Sequence, residues 1–168
     1  MPTPAEATPI PDRDSVLIAL RERLRDRLAR AQEAVQQAFD AATHEESRAE
    51  NKYDTRALEQ SYLSAGQTER VTTLRRQLTA LHHLELAPGP FELVVPGALV
   101  EVELEDARGT VERTVLVLPL DVGEAVEVDG ATVHVVAVEA PLARALHGRE
   151  AGDEVRVGPR LARVVSVR

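Results

Sequence analysis

The sequence contains no cysteine and no tryptophan, and its 168 residues include only two tyrosines and two phenylalanines. The lack of cysteine excludes disulfide bonds and thiolate metal sites. Because aromatic rings are so few, the core must be packed from leucine, valine and alanine side chains. The same scarcity leaves little material for an aromatic-lined ligand pocket.

Long apolar runs are also lacking, since no stretch approaches the ~20 residues that a membrane-spanning helix needs. The formal net charge is −8, which argues against independent DNA binding because phosphate neutralisation requires a basic surface. The opening stretch, "MPTPAEATPIP", has four prolines and no apolar core, so it is neither a signal peptide nor a helix. We expect residues 1–12 to form a disordered lead-in and the protein to have no membrane partner.

Residues 13–87 carry apolar side chains at helical spacing. The first set steps by three or four along Leu17, Leu20, Leu24, Leu28, Ala31, Val35, Ala38 and Ala42. The second set follows the same steps along Tyr53, Ala57, Gln60, Ser64, Gln67, Val71, Leu74, Leu78 and Leu81. Its middle is polar or small, so we expect the two helices to pair loosely there. Such spacing is typical of a coiled-coil seam, and two helices joined by a short connection must lie antiparallel.

The predicted ends of these helices follow from capping residues. Asp14 or Ser15 is a natural N-cap for the first helix, and Ser47 with Glu50 matches a capping box at the start of the second. The turn is then predicted at Thr43–Glu46. The sequence therefore predicts an N-terminal antiparallel coiled-coil hairpin over residues 13–87.

Residues 88–168 change to a period of two after three prolines that end the helical pattern. Alternating runs predict strands, and Asp129-Gly130 between two such runs predicts a tight hairpin turn. The segment "PLARALHG" predicts one short helix that starts at Pro141 and ends at Gly148. We expect an α+β fold in which the hairpin precedes an antiparallel sheet domain with one short helix.

Carboxylates crowd the connection between the two predicted helices, at residues 43–50 and just beyond. They are Glu45, Glu46, Glu50 and Asp54. One interpretation is a solvated helix end, in which Glu50 only caps the second helix. The other is an acidic tip that the hairpin presents to a partner.

The order of these features resembles the Gre family of transcript-cleavage factors, of the GreA and GreB type. The tip is similar to that family's pattern of acid, Glu-Asn and tyrosine, which is carried here by Glu46, Glu50, Asn51 and Tyr53 and followed by Gln60 and Tyr62. The run from Pro141 to Leu146, followed by "GDEV" at residues 152–155, is similar to the family's C-terminal signature. The resemblance covers almost the whole chain after the lead-in.

The resemblance implies a C-terminal domain of FKBP-like fold that docks on the rim of the RNA polymerase secondary channel, while the coiled coil enters the channel. The residues directed at the polymerase Mg²⁺ would be Glu45, Glu46 and Glu50, with Asn51, Tyr53 and Asp54 as tip support. The docking residues would be Pro141, Leu142 and Arg144. Backtracked RNA would then be hydrolysed in the polymerase's own active site.

Further expectations concern cofactors and partners. The factor would be an accessory protein and not an enzyme, with no catalytic residues of its own. It would hold no metal stably when free, because Mg²⁺ would be bound only within the polymerase complex. The partners would be RNA polymerase and, indirectly, nascent RNA. We also expect a monomer in the bacterial cytoplasm.

The tip departs from the family pattern in its spacing. The family's two metal-directed acids stand three residues apart, whereas Glu46 and Glu50 are four apart, and Lys52 replaces the acid before the tyrosine. Two functions therefore stay open: a factor that promotes RNA cleavage, and a secondary-channel regulator that does not cleave.

Two other classes of protein compete with these interpretations. A coiled-coil adaptor unrelated to polymerase would explain the helices but not the acidic tip. A prolyl isomerase, suggested by the FKBP-like fold, would need an aromatic-lined cleft, and residues 88–168 contain only one aromatic residue, Phe91.

The arginines from Arg21 to Arg30 are interpreted as the solvated face of a helix.

Overall fold

The computed structural model describes residues 11–46 and 55–168, with side chains described for residues 11–41 and 66–168. The chain divides into two compact units. The helical unit is Glu22–His82, and the sheet unit joins the chain up to Arg21 with His83–Arg168. The domain boundaries at residues 12 and 87 stay predictions.

Two long helices form most of the N-terminal half: α1 is Arg13–Glu46 and α2 is Thr55–His82. Their buried apolar residues in the helical unit are Leu24, Ala31, Val71, Leu74 and Leu81, all of which belong to the predicted seam. In the sheet unit Leu17 and Leu20 are buried as predicted, and Val16 is buried as well. The predicted seam is therefore buried at these positions, whereas five other described seam residues are only half-buried: Leu28, Val35, Ala38, Gln67 and Leu78.

The ends of α1 differ from the prediction. The backbone N–H of Ser15 donates to a carboxylate oxygen of Asp12 at 2.9 Å, so Asp12 is the N-cap, and Asp14 and Ser15 are wrong as caps. Hydrogen bonds from Ser15 lower the pKa of the Asp12 carboxyl. The turn predicted at Thr43–Glu46 is also wrong, because α1 continues to Glu46. Residues 43–46 contain no glycine or proline that would end a helix, and glutamate favours the helical conformation.

The sheet unit contains six strands and one short helix, and its predicted α+β class is confirmed. The strands are β1 (Leu99–Asp106), β2 (Gly109–Leu118), β3 (Ala125–Val128), β4 (Ala131–Ala137), β5 (Glu154–Val157) and β6 (Arg160–Val167). Their order across the sheet is β3-β4-β2-β1-β6-β5. The helix α3, Pro141–Leu146, lies between β4 and β5 in the chain, with Pro141 in its first turn as predicted.

The prediction of a purely antiparallel sheet is wrong at one pair of strands. β2 and β4 run parallel, from Thr114 beside Val133 to Leu118 beside Ala137. The reason is that the chain leaves β2 for the outer strand β3 and then returns through the hairpin, so two reversals restore the direction of β2. The hairpin turn is the predicted one, since Asp129 and Gly130 both have positive φ, 51° and 80°.

The core of the sheet unit lies between one face of the sheet and α3. Its buried members are Val94, Ala98, Val100, Val102, Leu104, Val115, Val117, Ala143, Leu146, Ala162 and Val164. Strand alternation places a second set of buried residues on the opposite face: Leu99, Leu116, Leu118, Val126, Val133 and Val135. Leu146 is fully buried, so it is the side chain that anchors α3.

Arg13 links the first turn of α1 to the segment that leads into β1. Its Nη1 donates to the carbonyl oxygen of Ala87 at 2.8 Å and to that of Gly97 at 3.4 Å. The guanidinium carbon lies 5.7 Å from the centre of the Phe91 ring. Gly97 has φ 95°, a backbone conformation that favours glycine. A Cβ at this position would also lie only 3.3 Å from the Arg13 Nη1, which leaves little space for a side chain.

Replacing Arg13 with alanine should lower the free energy of unfolding by about 1–2 kcal/mol, because a charged hydrogen bond and a partly exposed cation–π contact are lost together. Arg13→Lys should recover only part of this loss, since an ammonium cannot reproduce the planar fork of donors. Urea unfolding measures the effect. The exposed Arg108→Ala is the control, and an Arg13→Ala protein as stable as this control would contradict the linking role.

Candidate functional site

The acidic tip lies mostly outside the described residues. Glu45 and Glu46 occupy the last turn of α1, but their side chains are not among those described. The remaining tip residues, Glu50, Asn51, Tyr53 and Asp54, lie outside the described residues. The roles of the tip residues therefore stay predictions.

The predicted docking residues surround the start of α3. Pro141 and Arg144 are exposed, whereas Leu142 is half-buried and packs against the sheet core. The backbone N–H of Arg144 donates to the carbonyl of Ala140 at 2.9 Å, which closes the first turn of the helix. The surface at this helix start is therefore made by the proline ring and the guanidinium, while the leucine is partly used by the fold.

The chain after α3 pairs with the segment before β1. The N–H of Gly148 donates to the carbonyl of Val94, and the N–H of Val94 donates to the carbonyl of Arg149, both at 2.8 Å. Leu93, which forms a bridge with Glu150, is 45% exposed. Sequence analysis did not select this apolar side chain, although the alternation around the buried Val94 is a signal that could have identified it.

Three carboxylates of the sheet, Glu103, Asp106 and Glu154, form ion pairs with arginines of β6. Arg163 contacts Glu154 at 2.6 Å and Glu103 at 3.7 Å, and these acids raise its pKa, with the Glu154 hydrogen bond as the largest cause. Arg160 contacts Asp106 at 3.2 Å. We interpret these exposed pairs as a charge ladder across neighbouring strands.

Within residues 11–46 and 55–168, no helix combines the length and the hydropathy needed to cross a membrane. Among the side chains of residues 11–41 and 66–168, no group of three or more histidine, cysteine, aspartate or glutamate residues is placed to bind a metal ion.

Comparison with known proteins retrieves GreA-like transcription factors among solved structures. GreA factor homolog 1 (Gfh1) of Thermus thermophilus is 24% identical, with 89% of this chain and 95% of that chain covered at a TM-score of 0.38. A second structure of the transcription factor Gfh1 gives 24% identity, 89% and 94% coverage and the same TM-score of 0.38. Gfh1 of Thermus aquaticus is 21% identical, with 89% and 94% covered and a TM-score of 0.35.

The solved structures similar to this chain are therefore GreA-like proteins, the family whose resemblance the sequence indicates. No protein-family model matches the chain, and no curated protein matches it.

Proposed function

We propose that this protein is a transcription factor that binds RNA polymerase in its secondary channel and presents tip carboxylates to the polymerase active site, where it promotes cleavage of backtracked RNA. The observation that carries the proposal is a pair of helices, 34 and 28 residues long, with Glu45 and Glu46 in the last turn of the first. At 1.5 Å per residue the longer helix spans about 50 Å. A helical pair of this length is suited to a narrow pore.

The chemistry of the tip follows from its carboxylates. Mg²⁺ prefers carboxylate oxygens and keeps several of its waters, so one or two supplied acids are enough when the partner provides the rest of the site. In a two-metal site the metal ions stabilise the attacking and leaving oxygens of a phosphoryl displacement. Glu46 and Glu50, with Glu45 as a substitute, would add their charge there, and the factor would need no catalytic residue of its own.

Docking is proposed for the start of α3. Pro141 offers an exposed apolar ring and Arg144 an exposed charge, and both are fixed by a helix whose Leu146 is fully buried. A rigid anchor of this kind loses little conformational entropy when it binds. We expect the factor to bind as a monomer, to contact nascent RNA only indirectly and to make no DNA contact of its own.

A second function is a secondary-channel regulator that does not cleave. The spacing of four between Glu46 and Glu50, together with Lys52 before Tyr53, favours this alternative. A tip that reaches the active site without completing its metal site would alter transcription by occupying the channel.

Retention on immobilised core RNA polymerase tests the partner. We expect the full chain to be retained, and to be displaced by an excess of a GreA-type cleavage factor because both would occupy one channel. Retention without competition would place the docking site elsewhere on polymerase. Absence of retention at micromolar concentrations would contradict the proposal and favour the adaptor interpretation.

A further inference from the structure

The helical unit contains a cleft that the proposed polymerase function does not use. We name it the arginine groove. It is lined by Arg23, Asp26, Arg27 and Arg30 of α1 and by Gln67 and Arg70 of α2, over a floor that includes the buried Ala31. Its volume is about 390 Å³, which lies within the range of small-molecule sites.

The charge of the arginine groove is opposite to that of the whole chain. Four guanidinium groups face one carboxylate, Asp26, so the lining carries a net charge of +3, whereas the chain carries −8. In the part of the chain that the structure describes, neither Arg30 nor Arg70 forms an ion pair. These two exposed guanidiniums are therefore available to a ligand.

Like charges crowd each other in the groove. Burial, followed by the charges of Arg70 and Arg23, lowers the pKa of the half-buried Arg27. Bringing cations together costs free energy that an anion placed between them would recover.

Gln67 requires a hydrogen-bond donor from any ligand that fills the groove. Its Oε1 is buried and finds no hydrogen-bond partner among the described residues. A buried acceptor without a donor is costly, and an amide oxygen can be satisfied only by an O–H or N–H group. An ionised phosphate oxygen accepts hydrogen bonds from arginines but donates none, so a hydroxyl or amino group of a nucleoside is the better partner for this oxygen.

We propose that the arginine groove binds a small molecule of the nucleoside diphosphate class, with its phosphates on Arg30 and Arg70 and a nucleoside O–H or N–H donating to Gln67 Oε1. A diphosphate carries about three negative charges near pH 7. This charge balances the net charge of +3 on the residues that line the groove. Guanidinium groups bind such oxygens in a bidentate manner. The acidic chain repels longer polyanions, so a small ligand fits better than RNA.

This site is independent of the polymerase proposal, because binding is expected in the free protein. Isothermal titration of the full chain with ADP, GDP and inorganic pyrophosphate, in magnesium-free buffer at constant ionic strength, is the direct test. We expect ADP or GDP to bind more tightly than pyrophosphate. Arg70→Ala and Arg30→Ala, both at exposed positions, should each weaken nucleotide binding about tenfold, as expected for loss of a charge-assisted contact.

Two variants separate the groove from general charge effects. Arg25→Ala removes an exposed arginine of α1 that does not line the groove, so it should leave the affinity unchanged. Gln67→Leu removes the unpaired oxygen, so it should abolish the preference for a nucleotide over pyrophosphate while keeping pyrophosphate affinity.

Three results would overturn the inference. They are no heat with any of the three ligands, an equal loss of affinity in Arg25→Ala and Arg70→Ala, or binding of single-stranded RNA in the absence of nucleotide binding. Circular dichroism of each variant establishes that the helices are retained.

Discussion

Alanine at both Glu46 and Glu50 should lower the rate at which the factor promotes cleavage of backtracked RNA by about 100-fold or more, because groups that stabilise transition-state charge in a water-poor site commonly contribute that much. Polymerase binding and the stability of the free protein should stay nearly unchanged. In the free protein we expect Mg²⁺ binding to be negligible, since two exposed carboxylates cannot offset the dehydration of that ion. Gel analysis of labelled RNA in stalled complexes measures the rate.

Glu22→Ala is the control for this experiment, because Glu22 is an exposed acid of α1 far along the helix from Glu46. If the wild-type protein binds polymerase and alters initiation but does not shorten backtracked RNA, the regulator interpretation is correct. If the wild type and the double variant act identically in every transcription assay, the carboxylates are only a solvated connection between helices.

Arg144→Glu should weaken binding to RNA polymerase by roughly 5- to 150-fold, the range of 1–3 kcal/mol typical of an interface anchor. Arg144 is exposed on α3, so reversing its charge should leave thermal unfolding unchanged. Leu142→Asp would be a less informative variant, because Leu142 packs against the core and the change would also destabilise the fold.

Arg108→Glu makes the same charge reversal at the turn between β1 and β2, and it is the matched control. Binding constants from surface plasmon resonance, together with unfolding curves, separate docking from stability. Equal affinities for Arg144→Glu, Arg108→Glu and the wild type would remove the start of α3 from the polymerase interface.

The sequence alone determined the features that depend on near neighbours in the chain. Helical spacing along α1 and α2, the alternation of the strands, the Asp129-Gly130 turn and the proline start of α3 all follow from local conformational preference and from the side of each element that is apolar. Each of these signals is contained within a few residues, so it can be recognised without knowing which elements pack together.

The docking role of the start of α3 stays a prediction, which came from the family resemblance and did not distinguish exposed from buried residues. Pro141 was correctly placed in the first helical turn, whereas the burial of Leu142 depends on side chains from distant strands. The identity of the N-cap shows the same limit on a smaller scale, because Asp12, Asp14 and Ser15 are all good caps and only the observed hydrogen bond distinguishes them.

Only the tertiary structure decided how separate parts of the chain meet. The parallel pairing of β2 with β4 depends on where the β3–β4 hairpin inserts, and the period of two is the same for parallel and antiparallel neighbours. The arginines near the start of α1 are typical of a solvated helix face until α2 places Gln67 and Arg70 beside them. Local sequence fixes which elements form, whereas contacts between distant residues create the clefts and the strand order, and no local pattern encodes them.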